Sequence, residues 1–84
     1  MVTIIGANWC TPCQTLKRAL ELLKVSYEYV DVEVDPDRAE HLEISSLPTI
    51  LFKDGQRFEG CPPIRALNMM LVEHGETIEG GFTK

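Results

Sequence analysis

The stretch VTIIGANWCTPC, residues 2–13, joins a short apolar segment to two closely spaced cysteines. Residues 2–5 are β-branched and almost continuously hydrophobic, which is typical of a buried strand. Gly-Ala-Asn at 6–8 interrupts this pattern, and the C-T-P-C motif of residues 10–13 follows. From Thr11 the hydrophobic residues recur with the period of a helix, so the cysteine pair is predicted to lie at a strand-to-helix junction.

The helix that begins at Thr11 is predicted to run to about Lys24. Thr11 and Gln14 fit a capping box, and Pro12 suits the first helical position. The apolar side chains at helical spacing form one face: Leu16, Ala19, Leu20 and Leu23.

Two elements are predicted next along the chain. Residues 27–34 alternate apolar and polar side chains, which indicates a strand with one more polar face. Asp35 and Pro36 can cap and open a short helix that holds Ala39 and Leu42.

The rest of the chain is typical of a hairpin and a final helix. A third strand is predicted over residues 49–52, and Asp54-Gly55 before residues 56–58 is a strong signal for a two-residue hairpin turn. Pro62-Pro63 opens the last helix, and His74-Gly75 stops it.

The element order β-α-β-α-β-β-α predicts an α/β domain with a four-stranded mixed sheet flanked by three helices. Its first βαβ crossover should be right-handed. A chain of 84 residues supports one small domain, which we assign to residues 1–75, and residues 76–84 are predicted to form a mobile tail.

Composition narrows the classes of function. The chain is 44% hydrophobic and 25% charged, as expected of a soluble globular domain. A formal net charge of -5 argues against nucleic-acid binding, which needs a basic surface. No stretch resembles a signal peptide or a membrane span, so we expect a cytoplasmic protein without a membrane partner. Three cysteines, an odd number, fit poorly with a closed disulfide framework.

Two cysteines three residues apart at a helix N-terminus can cycle between dithiol and disulfide, so we expect no cofactor beyond this redox-active pair. Cys10, near the free N–H groups, is the predicted attacking thiolate, and Cys13 is the predicted resolving thiol. Half of a zinc site is the alternative. The remaining metal-binding side chains, Cys61, His41 and His74, form no second close pair, so redox chemistry is favoured and no metal is expected.

The segment Trp9-Cys10-Thr11-Pro12-Cys13 resembles the W-C-G-P-C active site of thioredoxins. Residues 46–49 (Ser-Leu-Pro-Thr) and 52–55 (Phe-Lys-Asp-Gly) resemble thioredoxin segments in the same order. Gly60 matches the glycine of the loop before the last helix. The resemblance covers residues 2–74 and implies a thioredoxin fold with protein disulfide reductase activity.

The resemblance also implies roles for residues outside the cysteine pair. Pro48 would be a cis proline packed against the disulfide, and Leu47 would offer backbone hydrogen bonds to an extended substrate. The other predicted substrate-binding residues are Trp9, Thr11, Pro12 and Gly60. An ordinary trans proline that opens a strand and a tryptophan that only fills the core are the structural alternatives.

The sequence departs from the thioredoxin pattern in three respects. It lacks the extra N-terminal β-α unit, so its architecture is closer to that of glutaredoxins. Ile4 stands where thioredoxins carry a buried aspartate, so the proton of the second cysteine must pass to water or to another group. Thr11-Pro12 replaces Gly-Pro between the cysteines, and these residues tune the redox potential.

The electron donor is predicted from what the chain lacks. Glutaredoxins bind glutathione with a tyrosine in C-P-Y-C and a diglycine followed by an acidic residue, whereas this chain has Thr11-Pro12 and Gly60-Cys61-Pro62. We therefore favour thioredoxin reductase as the donor and keep glutathione as the alternative. The expected partners are disulfide-containing proteins, with ribonucleotide reductase as a target by family analogy only. The protein is expected to be a monomer.

Two alternatives stay open. The chain could be a redoxin-fold binding module whose cysteines are incidental to the contact, with Trp9, Leu47 and the Gly60-Cys61 pair as its surface. Cys61 is either an idle thiol or a regulatory one.

Overall fold

A computed structural model describes residues 1–76; the remainder of the predicted tail, residues 77–84, lies outside the described residues. Seven elements follow one another in the predicted order: β1 (Val2–Gly6), α1 (Thr11–Leu22), β2 (Tyr27–Asp31), α2 (Pro36–His41), β3 (Thr49–Leu51), β4 (Arg57–Glu59) and α3 (Ile64–Glu73). This order confirms the α/β architecture that was predicted from the sequence.

The four strands form one mixed sheet in the order β2-β1-β3-β4. β1 lies in its interior, parallel to β2 and antiparallel to β3, and β3 pairs antiparallel with β4. All five residues of β1 are buried, which confirms the interpretation of its continuous apolar run. The buried strand therefore carries the chain from the core directly to the cysteine motif.

Helices α1 and α3 contribute to one hydrophobic core together with the sheet, whereas α2 has no buried residue. The predicted apolar stripe of α1 is confirmed, because Leu16, Leu20 and Leu23 are fully buried or nearly so. The members of the core cluster are Val2, Ile4, Leu16, Leu20, Leu23, Val25, Ile50, Phe52, Leu67 and Leu71.

The predicted N-terminal capping of α1 is wrong in its detail. Cys10, not Thr11, is the N-cap residue, and its Sγ accepts the backbone N–H of Cys13. Thr11 and Pro12 are the first two helical residues, so Pro12 stands one position later than predicted. Gln14 does not complete a capping box, because its side-chain Nε2 donates to the carbonyl of Ala7. The cysteine takes the capping role because its sulfur is the side-chain acceptor that precedes the first turn.

The C-terminal end of α1 also falls short of its predicted limit. The helix ends at Leu22, with Leu23 as the C-cap. Lys24 has a φ of 57°, the left-handed backbone conformation in which helices commonly stop.

The second strand is shorter than predicted because its partner strand ends. β1 ends at Gly6, which pairs with Asp31, so beyond Asp31 only the N–H of Val32 still reaches β1, at the Gly6 carbonyl. The chain then turns, with the carbonyl of Asp31 accepting the N–H groups of Val34 and Asp35. The predicted continuation of the strand to Val34 is therefore wrong.

The hairpin between β3 and β4 is antiparallel as predicted, but β3 ends at Leu51 rather than residue 52, and the loop inside the closing hydrogen bond has three residues rather than two. Phe52 donates its N–H to the carbonyl of Gln56, which closes the loop at 53–55. Gly55 has a φ of 91°, as expected for the last residue of a three-residue connection. β4 consequently runs over residues 57–59 instead of the predicted 56–58.

The end of α3 is fixed to this hairpin. His74 stacks on Phe52 with ring centroids 4.0 Å apart, and its Nδ1 lies 2.7 Å from Asp54 Oδ2. Glu76, the first residue of the predicted tail, is buried and accepts the N–H of Lys53 at 2.8 Å. The ordered part of the domain therefore includes Glu76, and the mobility of the following residues stays a prediction.

Replacing a core leucine of α1 should reduce stability sharply. We expect Leu20→Ala to lower the free energy of unfolding by about 2–5 kcal/mol, because Leu20 is fully buried and its removal leaves a cavity. Leu22→Ala, two residues along the same helix, is the control because its side chain is 67% exposed and should change stability by less than about 0.5 kcal/mol. Urea denaturation measures the free energy of unfolding of both variants. Equal losses would contradict the assignment of Leu20 to the buried face of the helix and Leu22 to the exposed face.

The contact between His74 and Asp54 should give a pH-dependent contribution to stability. The hydrogen bond from His74 holds the pKa of the Asp54 carboxyl below its usual value. A lowered pKa in the folded state stabilises the fold above the unfolded-state pKa, and this contribution disappears as the pH falls through the folded-state pKa. We expect Asp54→Asn to reduce the melting temperature slightly at neutral pH and not at all in strong acid, because the pair is at the surface. A difference that grows towards acid pH would contradict this assignment.

Candidate active site

The cysteine pair lies at the N-terminus of α1 as a disulfide, with a Cα–Cα distance of 5.2 Å. Cys10 is 7% exposed, whereas Cys13 is fully buried. Both pack in a small cluster with Ala7, against which Val32 and Leu47 rest. Cys10 is therefore slightly more exposed than Cys13, although both cysteines are largely buried.

Backbone groups, rather than basic side chains, supply the positive potential at Cys10. The Cys13 N–H points at Cys10 Sγ at 3.3 Å, and the N-terminal end of the helix dipole adds to its effect. The first turn of α1 contains no acidic residue that would oppose a thiolate. Lys17 lies on α1, one turn beyond Cys13, and its Nζ is 4.2 Å from the centre of the Tyr29 ring on β2.

The Leu47–Pro48 peptide bond is cis, as the resemblance implies, and the alternative of a trans proline is wrong. Pro48 is buried, and its carbonyl accepts the N–H of Gly60 at 2.8 Å. Leu47 packs against the cysteine cluster, and within residues 1–76 its backbone groups make no hydrogen bond. The backbone of Leu47 is thus free to pair with an extended segment.

Trp9 is 64% exposed, so the interpretation that it only fills the core is wrong. Its Nε1 donates to Glu33 Oε2 at 2.8 Å, which fixes the indole against the turn after β2. Thr11 and Pro12 are exposed as well. Trp9 and Thr11 adjoin Cys10 along the chain, and their part in docking stays a prediction.

Two residues near the disulfide were not singled out by the sequence. A Cβ placed on Gly6 would lie 2.8 Å from Cys13 Sγ and 2.8 Å from Tyr29 Oη, so only glycine fits between them. The one sequence signal was the position of Gly6 directly after the buried strand. Tyr29 gave no signal because it forms part of a regular alternation. Ile4 is buried in the main core, at the position where thioredoxins carry an aspartate.

Cys61 packs against the main core rather than against the cysteine cluster. Burial raises the pKa of its thiol, which disfavours the reactive thiolate. The structure therefore separates it from the redox pair. Within residues 1–76, no group of three or more histidine, cysteine, aspartate or glutamate side chains is arranged to hold a metal ion. No helix of that region is long and apolar enough to cross a membrane.

Comparison with known proteins decides the family. The glutaredoxin family model matches residues 2–58. A thioredoxin of Staphylococcus aureus (strain Mu50) is 37% identical over 78 residues, which span 81% of this chain and 75% of the relative. The chain belongs to the thioredoxin/glutaredoxin family. A thioredoxin of Chlamydia muridarum is 44% identical over 59 residues, and that match spans 63% of this chain and 58% of the relative.

Members of the family with solved structures share the fold. NrdH-redoxin from Escherichia coli, described as a glutaredoxin-like protein with a thioredoxin-like activity profile, superposes with a TM-score of 0.68 at 31% identity, covering 79% of this chain and 92% of its own. Chloroplastic thioredoxin z superposes with a TM-score of 0.73 at 31% identity, covering 86% of this chain and 74% of its own. The family fold predicted from the cysteine and proline motifs is confirmed.

A methyl group at position 6 should disturb the active site. In Gly6→Ala the new Cβ would come within 3.0 Å of Cys13 and of Tyr29, so both contacts must be relieved by a shift of the surrounding residues. We expect a loss of about 1–3 kcal/mol in the free energy of unfolding and a changed reactivity of the cysteine pair. Urea denaturation and the thiol–disulfide equilibrium with a dithiol buffer measure the two effects.

Gly55→Ala is the matched control for this substitution. A Cβ there meets no atom within 4 Å, but the positive φ makes alanine unfavourable. It should therefore reduce stability while leaving the cysteine equilibrium unchanged. An unchanged cysteine equilibrium in Gly6→Ala would contradict the close packing described for the site.

Proposed function

We propose that this protein is a thiol-disulfide oxidoreductase that reduces disulfides of other proteins through Cys10 and Cys13. The observation that carries this proposal is the difference between the two cysteines. Cys10, which is 7% exposed, caps the N-terminus of α1, and Cys13, which is fully buried, lies in the first turn of that helix. This arrangement suits an attacking thiolate followed by a resolving thiol.

The reaction takes two exchange steps. The Cys10 thiolate attacks one sulfur of the target disulfide, and the other target sulfur leaves as a thiol after taking up a proton. Cys13 then loses its proton and attacks Cys10 Sγ. The bond between Cys10 and the target breaks, and the second target sulfur also leaves as a thiol. The target gains two electrons and two protons, and Cys10 and Cys13 become the disulfide.

Docking of the target is proposed to use the surface around Cys10. The unpaired backbone groups of Leu47 would accept an extended segment in the manner of an added strand. Pro48 and Gly60, which are hydrogen bonded to each other, hold that segment of chain in place. The exposed side chains beside Cys10 would form the rest of the contact: Trp9, Thr11 and Pro12.

Thioredoxin reductase is the proposed electron donor. The glutathione anchors missing from the sequence support this choice, as does the thioredoxin-like activity profile of the glutaredoxin-like structural neighbour. The match to the glutaredoxin family model favours glutathione as the second candidate donor. By family analogy we propose ribonucleotide reductase as a target, and a monomer in the cytoplasm as the working state.

A two-donor assay tests the function. Insulin disulfide reduction would be followed with thioredoxin reductase and NADPH, and separately with glutathione and its reductase. We expect turnover with the first donor, and a loss of more than about a thousandfold in Cys10→Ser because the attacking sulfur is removed. Cys61→Ser is the matched control and should retain full activity, since Cys61 lies apart from the redox pair.

The outcomes separate the candidate functions. Turnover with glutathione alone would assign the protein to the glutathione-dependent class. Absence of turnover with both donors would contradict catalysis, and retention of the biological role by Cys10→Ser would then indicate a binding module.

A further inference from the structure

Tyr29 brings a buried polar atom to the resolving cysteine. Tyr29 on β2 pairs with Ile4 on β1, and Ile4 and Gly6 lie on the same face of the sheet because they are two residues apart. Tyr29 Oη and Cys13 Sγ each lie 2.8 Å from the point that a Cβ of Gly6 would occupy. The two atoms are therefore no further apart than twice that distance.

The hydroxyl hydrogen of Tyr29 has no acceptor among the described residues. Its oxygen is inaccessible to solvent and makes no hydrogen bond of ordinary geometry within residues 1–76. The side-chain amide of Gln14 donates to the carbonyl of Ala7 at 3.1 Å, and its approach to the phenol oxygen lowers the pKa of Tyr29. Because a buried hydroxyl hydrogen without an acceptor is unfavourable by about 1–3 kcal/mol, its position beside a redox-active sulfur favours an acceptor that is present in another state of the site.

The reduced form of the cysteine pair supplies such a partner. When the disulfide opens, Cys13 Sγ is free to rotate away from Cys10, and a thiolate there is a strong acceptor. We propose that Tyr29 Oη donates a hydrogen bond to Cys13 Sγ in the dithiol form and thereby stabilises the resolving thiolate. Thioredoxins carry a buried aspartate at the position of Ile4, beside the second cysteine. In this protein the hydrogen bond from Tyr29 would favour the deprotonated form of that cysteine instead. Its catalytic consequence rests on the proposed function, whereas the hydrogen bond itself does not.

The charged and titratable groups around the phenol agree with a donor. Burial and the Asp31 carboxylate on the same strand raise the pKa of Tyr29, the Gln14 side chain lowers it, and the net shift is upward, so the hydroxyl keeps its proton at neutral pH. Lys17 on α1 lies over the ring, with its Nζ 4.2 Å from the ring centre. Tyr27 on β2 interacts electrostatically with Tyr29, and Cys10, the N-cap of α1, is bonded to Cys13.

The proton balance of the resolving step is unchanged by this contact. Cys13 loses its proton, the bond between Cys13 and Cys10 forms, and the bond between Cys10 and the target breaks. The electron pair of the broken bond leaves with the target sulfur, which gains a proton as Cys13 gives one up. Tyr29 keeps its own proton throughout and acts through the hydrogen bond alone.

Titration of Cys13 in a chain that contains no other cysteine tests the hydrogen bond without turnover. The variant Cys10→Ser with Cys61→Ser retains only Cys13 of the three cysteines, so the NMR shift of its isotope-labelled Cβ reports one thiol. Adding Tyr29→Phe should move the midpoint of this titration up by about one pH unit, about a tenfold loss of thiolate below the midpoint. An unchanged midpoint overturns the proposal.

Tyr27→Phe is the matched control. Tyr27 lies two residues away on the same strand, but its hydroxyl donates to Glu21 at 2.9 Å. Its removal should leave the midpoint of Cys13 where it was. Equal shifts in the two variants would indicate a general effect on the strand and would overturn the assignment to Tyr29.

A second arm does not depend on the folding of Tyr29→Phe. In Tyr27→Phe, Tyr29 is the sole tyrosine of the chain, so global incorporation of 3-fluorotyrosine labels that position alone. The more acidic phenol is a stronger donor and should move the midpoint of Cys13 down. An unchanged Cys13 midpoint in the fluorotyrosine protein also overturns the proposal.

Kinetics separate this inference from the proposed function. In otherwise wild-type protein, Tyr29→Phe should slow the resolving step about three- to fourfold at neutral pH, because the more basic thiolate regains part of the loss through its higher nucleophilicity. The first attack by Cys10 should keep its rate, and high pH should restore resolution. A shifted midpoint in a protein without reductase turnover would support the hydrogen bond and contradict the function. Normal turnover with an unshifted midpoint would contradict this inference alone.

Discussion

The close packing of Cys13 against Gly6 is the constraint on which the site depends. β1 ends at Gly6 and α1 begins five residues later, so the helix must start almost in contact with the end of the strand. Only a residue without a Cβ leaves room for Cys13 Sγ and Tyr29 Oη there. This contact fixes the position of the helix N-terminus, and with it the place of Cys10 as its cap.

The difference between the two cysteines follows from this placement. Cys13 faces the strand and is covered on all sides, whereas Cys10 remains at the surface edge of the helix. The Leu47–Pro48 segment closes the site from the neighbouring loop, and the hydrogen bond between Pro48 and Gly60 ties that loop to the end of the hairpin. Elements distant in sequence thus meet around one sulfur pair.

The electrostatics of the site depend mainly on the backbone and on buried polar atoms. The helix N-terminus favours an anion at Cys10 without a basic neighbour in the first turn. The nonpolar Ile4 removes the carboxylate that thioredoxins place under the second cysteine, and Tyr29 is the polar group that approaches Cys13 from the adjacent strand. The family architecture is therefore kept, while the residue at the position of that carboxylate is nonpolar.

The sequence by itself determined the order of the elements, the cysteine pair at a strand-to-helix junction and the family, because local periodicity and short motifs carry this information. The tertiary structure decided where β2 stops, since a strand ends where its neighbour ends, and it decided that Cys10 rather than Thr11 caps α1. It also decided the role open to Tyr29. A residue in a regular alternation gives no local signal, and only the pairing of two strands brings its hydroxyl beside Cys13.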